Sequence, residues 1–395
     1  MTSTHSRALI PALGAAQIVS WGTLFYHVAV LGKSIRDELG LSASVLFGAY
    51  TVGLITSAIM APVSGRRVDR LGGRVVLSTG SVVAAAALAT LALSQGALSL
   101  VAGYLLSGMA MSMTLYDPAF ATLHRLRPTE YRRLVTMLTL FGGFASTVFW
   151  PIGSALNGAL GWRGALLCFA LLHLLVCLPL HLLVIPREDP VPSEGMARRA
   201  VPTTHAGSRF YWLAASFALA SLIFGSVTAH LIEILTGRGI DVAHAVIIGA
   251  CIGPMQVAGR ILELSIARRT RVVHIAMLSF GLLATAMILL GLVGAGSIAL
   301  GLLFAATYGM GNGIYTILRG VAPAEILGAT GMGNLLGRLA RIHLPAAALA
   351  PFGFALLRDA GLTPAQLAGL CAMIAALAAA CFLIAAVTPR SSTLR

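Results

Sequence analysis

Apolar residues in this chain run in blocks of about 20, separated by short polar stretches, and neither alternate at strand spacing nor line a single helix face. Blocks of that length cross a ~30 Å hydrocarbon layer as helices that rise about 1.5 Å per residue. The pattern predicts twelve helices, over residues 8–31, 43–63, 75–95, 98–121, 135–157, 164–185, 210–235, 244–263, 272–293, 297–318, 332–357 and 365–387. The first block follows Arg7 as a signal sequence would. It extends from Ala8 to Leu31, longer than a signal core of about 7–15 residues, and is expected to remain as the first helix.

Composition removes the soluble alternatives. Of 395 residues 58% are hydrophobic and 10% charged, where a soluble domain carries about 25% charged residues. An all-α membrane protein is expected, and no soluble enzyme. The five cysteines, Cys168, Cys177, Cys251, Cys371 and Cys381, fall inside apolar blocks without a Cys-x-x-Cys pair, so neither a disulfide framework nor a metal site is indicated. No cofactor is expected, and nothing marks an enzyme: there is no His-Glu-x-x-His and no Gly-x-Ser-x-Gly.

The formal charge of +14 comes from arginines gathered between the apolar blocks, which leaves no basic face for nucleic acid. Nineteen of the 27 Lys and Arg residues fall at the termini and in alternate connections, five lie in the opposite connections, and Arg260, Arg338 and Arg341 fall within helices. That asymmetry predicts that both termini are cytoplasmic, and a bacterial-type inner membrane is the expected location.

A polar stretch at 186–209, rich in Pro, Ser and Thr, reads as a linker between six-helix halves at 1–185 and 210–395. An internal repeat supports the division. Pro151, Gly153, Ala155, Leu156 and Gly161 recur 200 residues later as Pro351, Gly353, Ala355, Leu356 and Gly361, while Gly40, Met111 and Tyr116 recur at 199 as Gly239, Met310 and Tyr315.

Between the second and third helices the chain reads Gly65-Arg66-Arg67-Val68-Asp69-Arg70-Leu71-Gly72-Gly73-Arg74. Gly65 permits close helix approach, Gly72 and Gly73 a tight turn, and Asp69 is a lone acid among arginines. The segment resembles the signature loop of the major facilitator superfamily, G-x-x-x-D-R-x-G-x-R, with Gly65, Asp69, Arg70, Gly72 and Arg74 as the residues of a conformational latch. The resemblance implies a twelve-helix, two-bundle fold, alternating access around a central site, ion coupling (usually to protons) and function as a monomer in the bilayer. The counterpart after the eighth helix, Arg268-Arg269-Thr270-Arg271, lacks the acid and the glycines. The drug-antiporter pattern R-x-x-x-G would put arginine where this chain has Tyr104, four residues before Gly108.

Ionisable side chains inside apolar blocks cost about 2.5–3.5 kcal/mol on insertion scales unless they face a cavity or a partner, so these positions are the candidates for transport chemistry. Arg260 follows Gln256 by four residues on one helix face, after Gly253-Pro254, an arrangement that distantly resembles monocarboxylate and oxalate transporters. Arg338 and Arg341 share a face, either to attract an anion or to gate. Asp117, beside Tyr116 and Pro118, and Glu233 are the acids open to ion coupling, with structural ion pairs as the alternative.

Aromatics are scarce at 7%, which draws attention to Trp21, Phe25, Tyr26, Tyr116, Phe149 and Trp150, with Gln17 one turn before Trp21. The substrate-contact candidates are therefore Gln17, Trp21, Tyr26, Tyr116, Trp150, Gln256 and Arg260. The expected function is secondary active transport of a small organic solute, leaning to an organic anion or carboxylate metabolite because the intramembrane cations are arginines. Within transport, the alternatives are an aromatic vitamin-like solute such as riboflavin, or export of a toxic compound. From other classes, they are a membrane sensor or an intramembrane enzyme.

Overall fold

A computed structural model describes residues 3–127, 129–187, 207–266, 269–294, 297–328 and 332–388. Among the described residues the regular structure is helical. The apolar stretches form α1 (Leu9–Leu39), α2 (Ala43–Leu71), α3 (Gly73–Ala92), α4 (Ala97–Leu126), the stretch Met137–Val184, α7 (Ser208–Gly237), α8 (Val242–Ile266), α9 (Val272–Leu292) and α10 (Ile298–Leu327). They end with α11 (Met332–Asp359) and α12 (Pro364–Val387). The stretch of 48 residues would be about 70 Å long as one helix, twice what a bilayer needs. Gly161 divides it, with φ 68° and ψ 172°, and the parts before and after that glycine are α5 and α6. Among the described residues this makes twelve helices of membrane-spanning length.

Several helices outrun their apolar blocks. α1 continues through Lys33 and Arg36, whose polar ends are held by a Lys33–Asp37 pair at 2.5 Å one turn apart. α2 continues through Asp69 and Arg70, so most of the segment expected as a loop is helix and only Gly72, at φ 81°, is the turn. α10 continues past Arg319, beyond the expected end at residue 318. Charged residues are good helix formers, so a helix does not stop where the hydrocarbon does. Most of the 186–209 linker and Arg268 lie outside the described residues.

The chain divides into two compact units, Met1–Met196 and Ala197–Arg395, each with its own helix pairings. In the first, α4 packs on α2 and α3; in the second, α10 packs on α8 and α9, and α7 on α11 and α12. Close approach at these crossings depends on glycine. A Cβ at Gly108 would land on the Gly53 carbonyl of α2, and one at Gly313 on the Gln256 carbonyl of α8.

The internal repeat has a structural meaning. Gly40 and Gly239 sit just past α1 and α7 with φ 64° and 84°, and Gly161 and Gly361 just past α5 and α11 with φ 68° and 94°, a left-handed region that other residues enter at a cost. After Gly40 and Gly239 the next helix begins on a capping residue: the Ser42 hydroxyl accepts from the Val45 amide at 3.3 Å, and the Asp241 carboxylate from the His244 amide at 3.1 Å. Between α1 and α5 the Trp150 indole donates to the Tyr26 carbonyl at 3.3 Å, and between α7 and α11 Ser226 donates to the Ala350 carbonyl at 3.1 Å. Further out, Asn157 donates to Ser34 at 2.9 Å, where the second unit has an ion pair of Arg358 with Glu233. The two units share these joints but make them with different chemistry.

Candidate functional site

In the first unit the aromatic residues expected from the sequence converge around a local irregularity. Over Trp21–Tyr26, α1 widens into a π-helix, a form that appears mostly as short bulges and often at functional sites. Two carbonyls of that wide turn are taken by side chains of other helices: the Tyr50 hydroxyl donates to Phe25 at 3.0 Å and the Trp150 indole to Tyr26. The Trp21 ring lies 5.2 Å from Phe25, 6.4 Å from Tyr26 and 5.0 Å from Tyr116, and Tyr116 stacks on Phe120 at 5.1 Å. Such spacings suit aromatic pairs. Trp21, Tyr26 and Tyr116 are half-buried, whereas Trp150 is 2% exposed and Gln17 0% exposed.

Gln17 is buried because its amide is spent inside the protein. A helix would pair the Thr114 carbonyl with the amide of residue 118, but Pro118 has none. α4 breaks there, with Leu115 in an extended conformation, and the Gln17 Nε2 donates to the Thr114 carbonyl at 2.7 Å. The Gln17 Oε1 accepts from the Trp21 Nε1 at 3.2 Å. The break in α4 is thereby wired to the aromatic wall. Asp117 follows the break in the first turn of a helical segment, Tyr116–Leu126, where a negative charge meets the positive end of the helix dipole. It is exposed.

Tyr104, at the place of the antiporter arginine, is buried and lies parallel to His27 at 5.8 Å, with its hydroxyl 3.3 Å from the His27 Nε2. A second buried histidine, His173, reaches the Thr23 hydroxyl at 2.8 Å. That hydroxyl already donates to the Val19 carbonyl at 2.8 Å, so His173 is the donor through Nε2. Both histidine contacts join residues far apart in the chain.

The motif segment is the last turns of α2 rather than a loop. Arg125 of α4 donates to the backbone carbonyl of Asp69, supplying positive charge to the end of α2. The Asp69 carboxylate and Arg70 are exposed, and Arg74 is half-buried. A Cβ at Gly65 would meet nothing within 4 Å, whereas one at Gly73 would run into the Thr122 side chain.

In the second unit Gln256 is buried where α8 crosses α10, and Arg260, one turn later, is half-buried. Three residues on, Glu263 is 5% exposed, and its Oε2 has no hydrogen-bond partner among the described residues. Glu233 is held by Arg358 in the outer joint already described. Arg338 rests on the Phe210 ring at 4.6 Å, and Arg341 is exposed. Among the described residues there is no group of three or more His, Cys, Asp or Glu able to hold a metal ion.

The profile of the Major Facilitator Superfamily matches residues 13–345. An uncharacterized transporter of Bacillus subtilis (strain 168), YycB, is 27% identical over 54% of this chain and 52% of its own length. Human monocarboxylate transporter 11 is 35% identical over 40% of this chain and 33% of its own. The chain therefore spans about half or less of these relatives. Among solved structures, a bacterial homologue of the human lysosomal transporter Spinster superposes with a TM-score of 0.77 over 100% of both chains at 14% identity, a likeness of fold alone.

Proposed function

Because the chain belongs to the Major Facilitator Superfamily, a family of multi-pass membrane transporters and not of enzymes, we propose that it is a secondary active carrier of a small organic anion. The observation that carries the reading is Arg260, a half-buried cation within α8 one turn after the buried Gln256. An arginine presents a planar fork of donors that matches a carboxylate, and it keeps its charge at any physiological pH. The local similarity to a monocarboxylate transporter points the same way. Proton coupling completes the proposal, with Asp117 as its exposed acid; Glu233 serves instead as a structural partner of Arg358.

The proposed location is the inner membrane of a bacterial-type cell, with cytoplasmic termini, an orientation that the arginine asymmetry supports. On that orientation the Gly65, Asp69, Arg70, Gly72 and Arg74 segment lies at the cytoplasmic end of α2, where Arg125 ties it to α4 and a change of state would release it. Arg338 and Arg341 lie toward the same end of α11 and act in gating. The carrier works as a monomer.

Purified protein in liposomes, given a panel of labelled monocarboxylates with and without an imposed pH gradient, tests the reading. Uptake that Arg260→Gln abolishes and Arg260→Lys partly keeps is the expected result. No uptake of any anion by a folded protein would sink it. A second reading, a flat aromatic solute, draws on the Trp21, Tyr26 and Tyr116 wall; it is favoured if Trp21→Ala abolishes uptake of an aromatic solute while Arg260→Gln does not.

A further inference from the structure

A second cation in the same unit is less accounted for than Arg260. Arg319 lies on α10 four residues after Tyr315, and its guanidinium carbon sits 5.3 Å from the centre of that ring. Its Nε is fully buried without a hydrogen-bond partner, and the guanidinium makes no ion pair among the described residues. Arg319 is half-buried, and a ring face offsets only part of the cost of burying that Nε without a partner.

Other donors and a further cation lie near Arg319. His343 of α11, 9% exposed, stands within electrostatic reach of Arg319, and its Nδ1 is likewise buried without a partner. The Tyr315 hydroxyl donates to the Phe217 carbonyl at 2.9 Å and lies 3.4 Å from the Ser221 hydroxyl. Arg338 borders the same apolar cluster, which includes Phe210, Tyr315, Leu318 and Leu339. The second unit's Glu233 is engaged with Arg358 elsewhere.

We propose that Arg319 of α10 and His343 of α11 form a binding site for an oxyanion group, a carboxylate or a phosphate. An anion there would accept from the orphaned Arg319 Nε and His343 Nδ1, and would supply the missing counter-charge. The site is distinct from Arg260 and does not depend on the role given to that residue. The anion comes either from a small solute or from a lipid headgroup.

The test uses the full chain in an uncharged detergent and reads the midpoint of thermal unfolding in sodium benzoate or sodium phosphate, against sodium chloride at equal ionic strength. Either oxyanion should raise the midpoint in a saturable way. Arg319→Gln should abolish the rise, and His343→Gln should weaken the apparent affinity by about tenfold, the loss of one hydrogen bond to a charged group. Should Arg319→Gln not fold, Arg319→Lys, which keeps a point charge but not the fork, carries the test with an intermediate shift. A rise given only by added phosphatidylglycerol, and lost in the Arg319 variants, assigns the anion to lipid and supports the site. An absent rise in all conditions, or one that survives in Arg319→Gln and disappears in Arg260→Gln, overturns it. The second of these results leaves the carrier reading intact.

Discussion

The Gln17 side-chain nitrogen lies 2.7 Å from the Thr114 carbonyl, the acceptor that Pro118 leaves without its helical donor. The contact is thus a consequence of a proline four residues beyond Thr114, and the two positions should be thermodynamically coupled. Gln17→Leu should lower unfolding stability by about 1–3 kcal/mol, since a carbonyl in an apolar interior loses its partner. In a Pro118→Ala background, where the backbone amide is restored, the same substitution should cost clearly less. Denaturant unfolding of the four proteins completes the cycle; equal costs in both backgrounds would refute the coupling.

At the joint of α7 and α11, the pair of Glu233 with Arg358 replaces the neutral bond of Ser34 with Asn157 found at α1 and α5. Removing one member of the ion pair strands a largely buried charge, so Glu233→Gln or Arg358→Gln should each cost about 2 kcal/mol or more. Asn157→Ala should cost about 1 kcal/mol. Thermal unfolding of the single variants compares the joints. The double variant Glu233→Gln/Arg358→Gln should recover part of the loss, because neither charge is then left alone.

The Asp241 carboxylate caps α8 and pairs with His244, and that hydrogen bonding holds its pKa below the ordinary carboxylate value. A group with a lowered folded-state pKa adds stability above its unfolded value of about 3.9, and this is lost as pH falls through the folded value. Asp241→Asn should therefore lower the unfolding midpoint at pH 7 by a small amount, since the pair is exposed. The difference between variant and wild type should shrink toward pH 3. A difference that persists undiminished below pH 3 would contradict the assignment.

Two glycines give opposite expectations. Gly108→Ala places a methyl group against the Gly53 carbonyl and should cost about 1–3 kcal/mol through forced separation of α2 and α4. Gly65→Ala meets nothing, and within a helix alanine should be neutral or stabilising by up to ~1 kcal/mol. If Gly65 serves a change of state, its substitution will show in transport rate and not in the unfolding midpoint.

The crossings were legible because hydrophobicity over about 20 residues is a local property set by the solvent, here lipid. Their ends were not. Lys33 and Arg70, both exposed, lie beyond the ends of their apolar blocks, and the helical backbone is indifferent to that change. The turn glycines Gly40, Gly161, Gly239 and Gly361 were visible as matched pairs, since positive φ restricts the residue type. The aromatic wall was found from the rarity of aromatics, but the burial of Gln17 and Trp150 was not, because their partners Thr114 and Tyr26 are 97 and 124 residues away. The Glu233 and Arg358 pairing was hidden for the same reason. No residue pattern announced the wide turn at Trp21.

That wide turn decides which rings face one another. Five residues along an α-helix amount to about 140° of rotation beyond a full turn, which would send Trp21 and Tyr26 to different sides of the rod; bonding from each residue to the fifth beyond brings them near a common meridian. The ring pair at 6.4 Å is therefore a property of backbone length, and not of side-chain identity alone. Deleting one residue between them would turn the wide turn into an ordinary one, in which the two rings, now four positions apart, still share a face and the rest of α1 keeps its register.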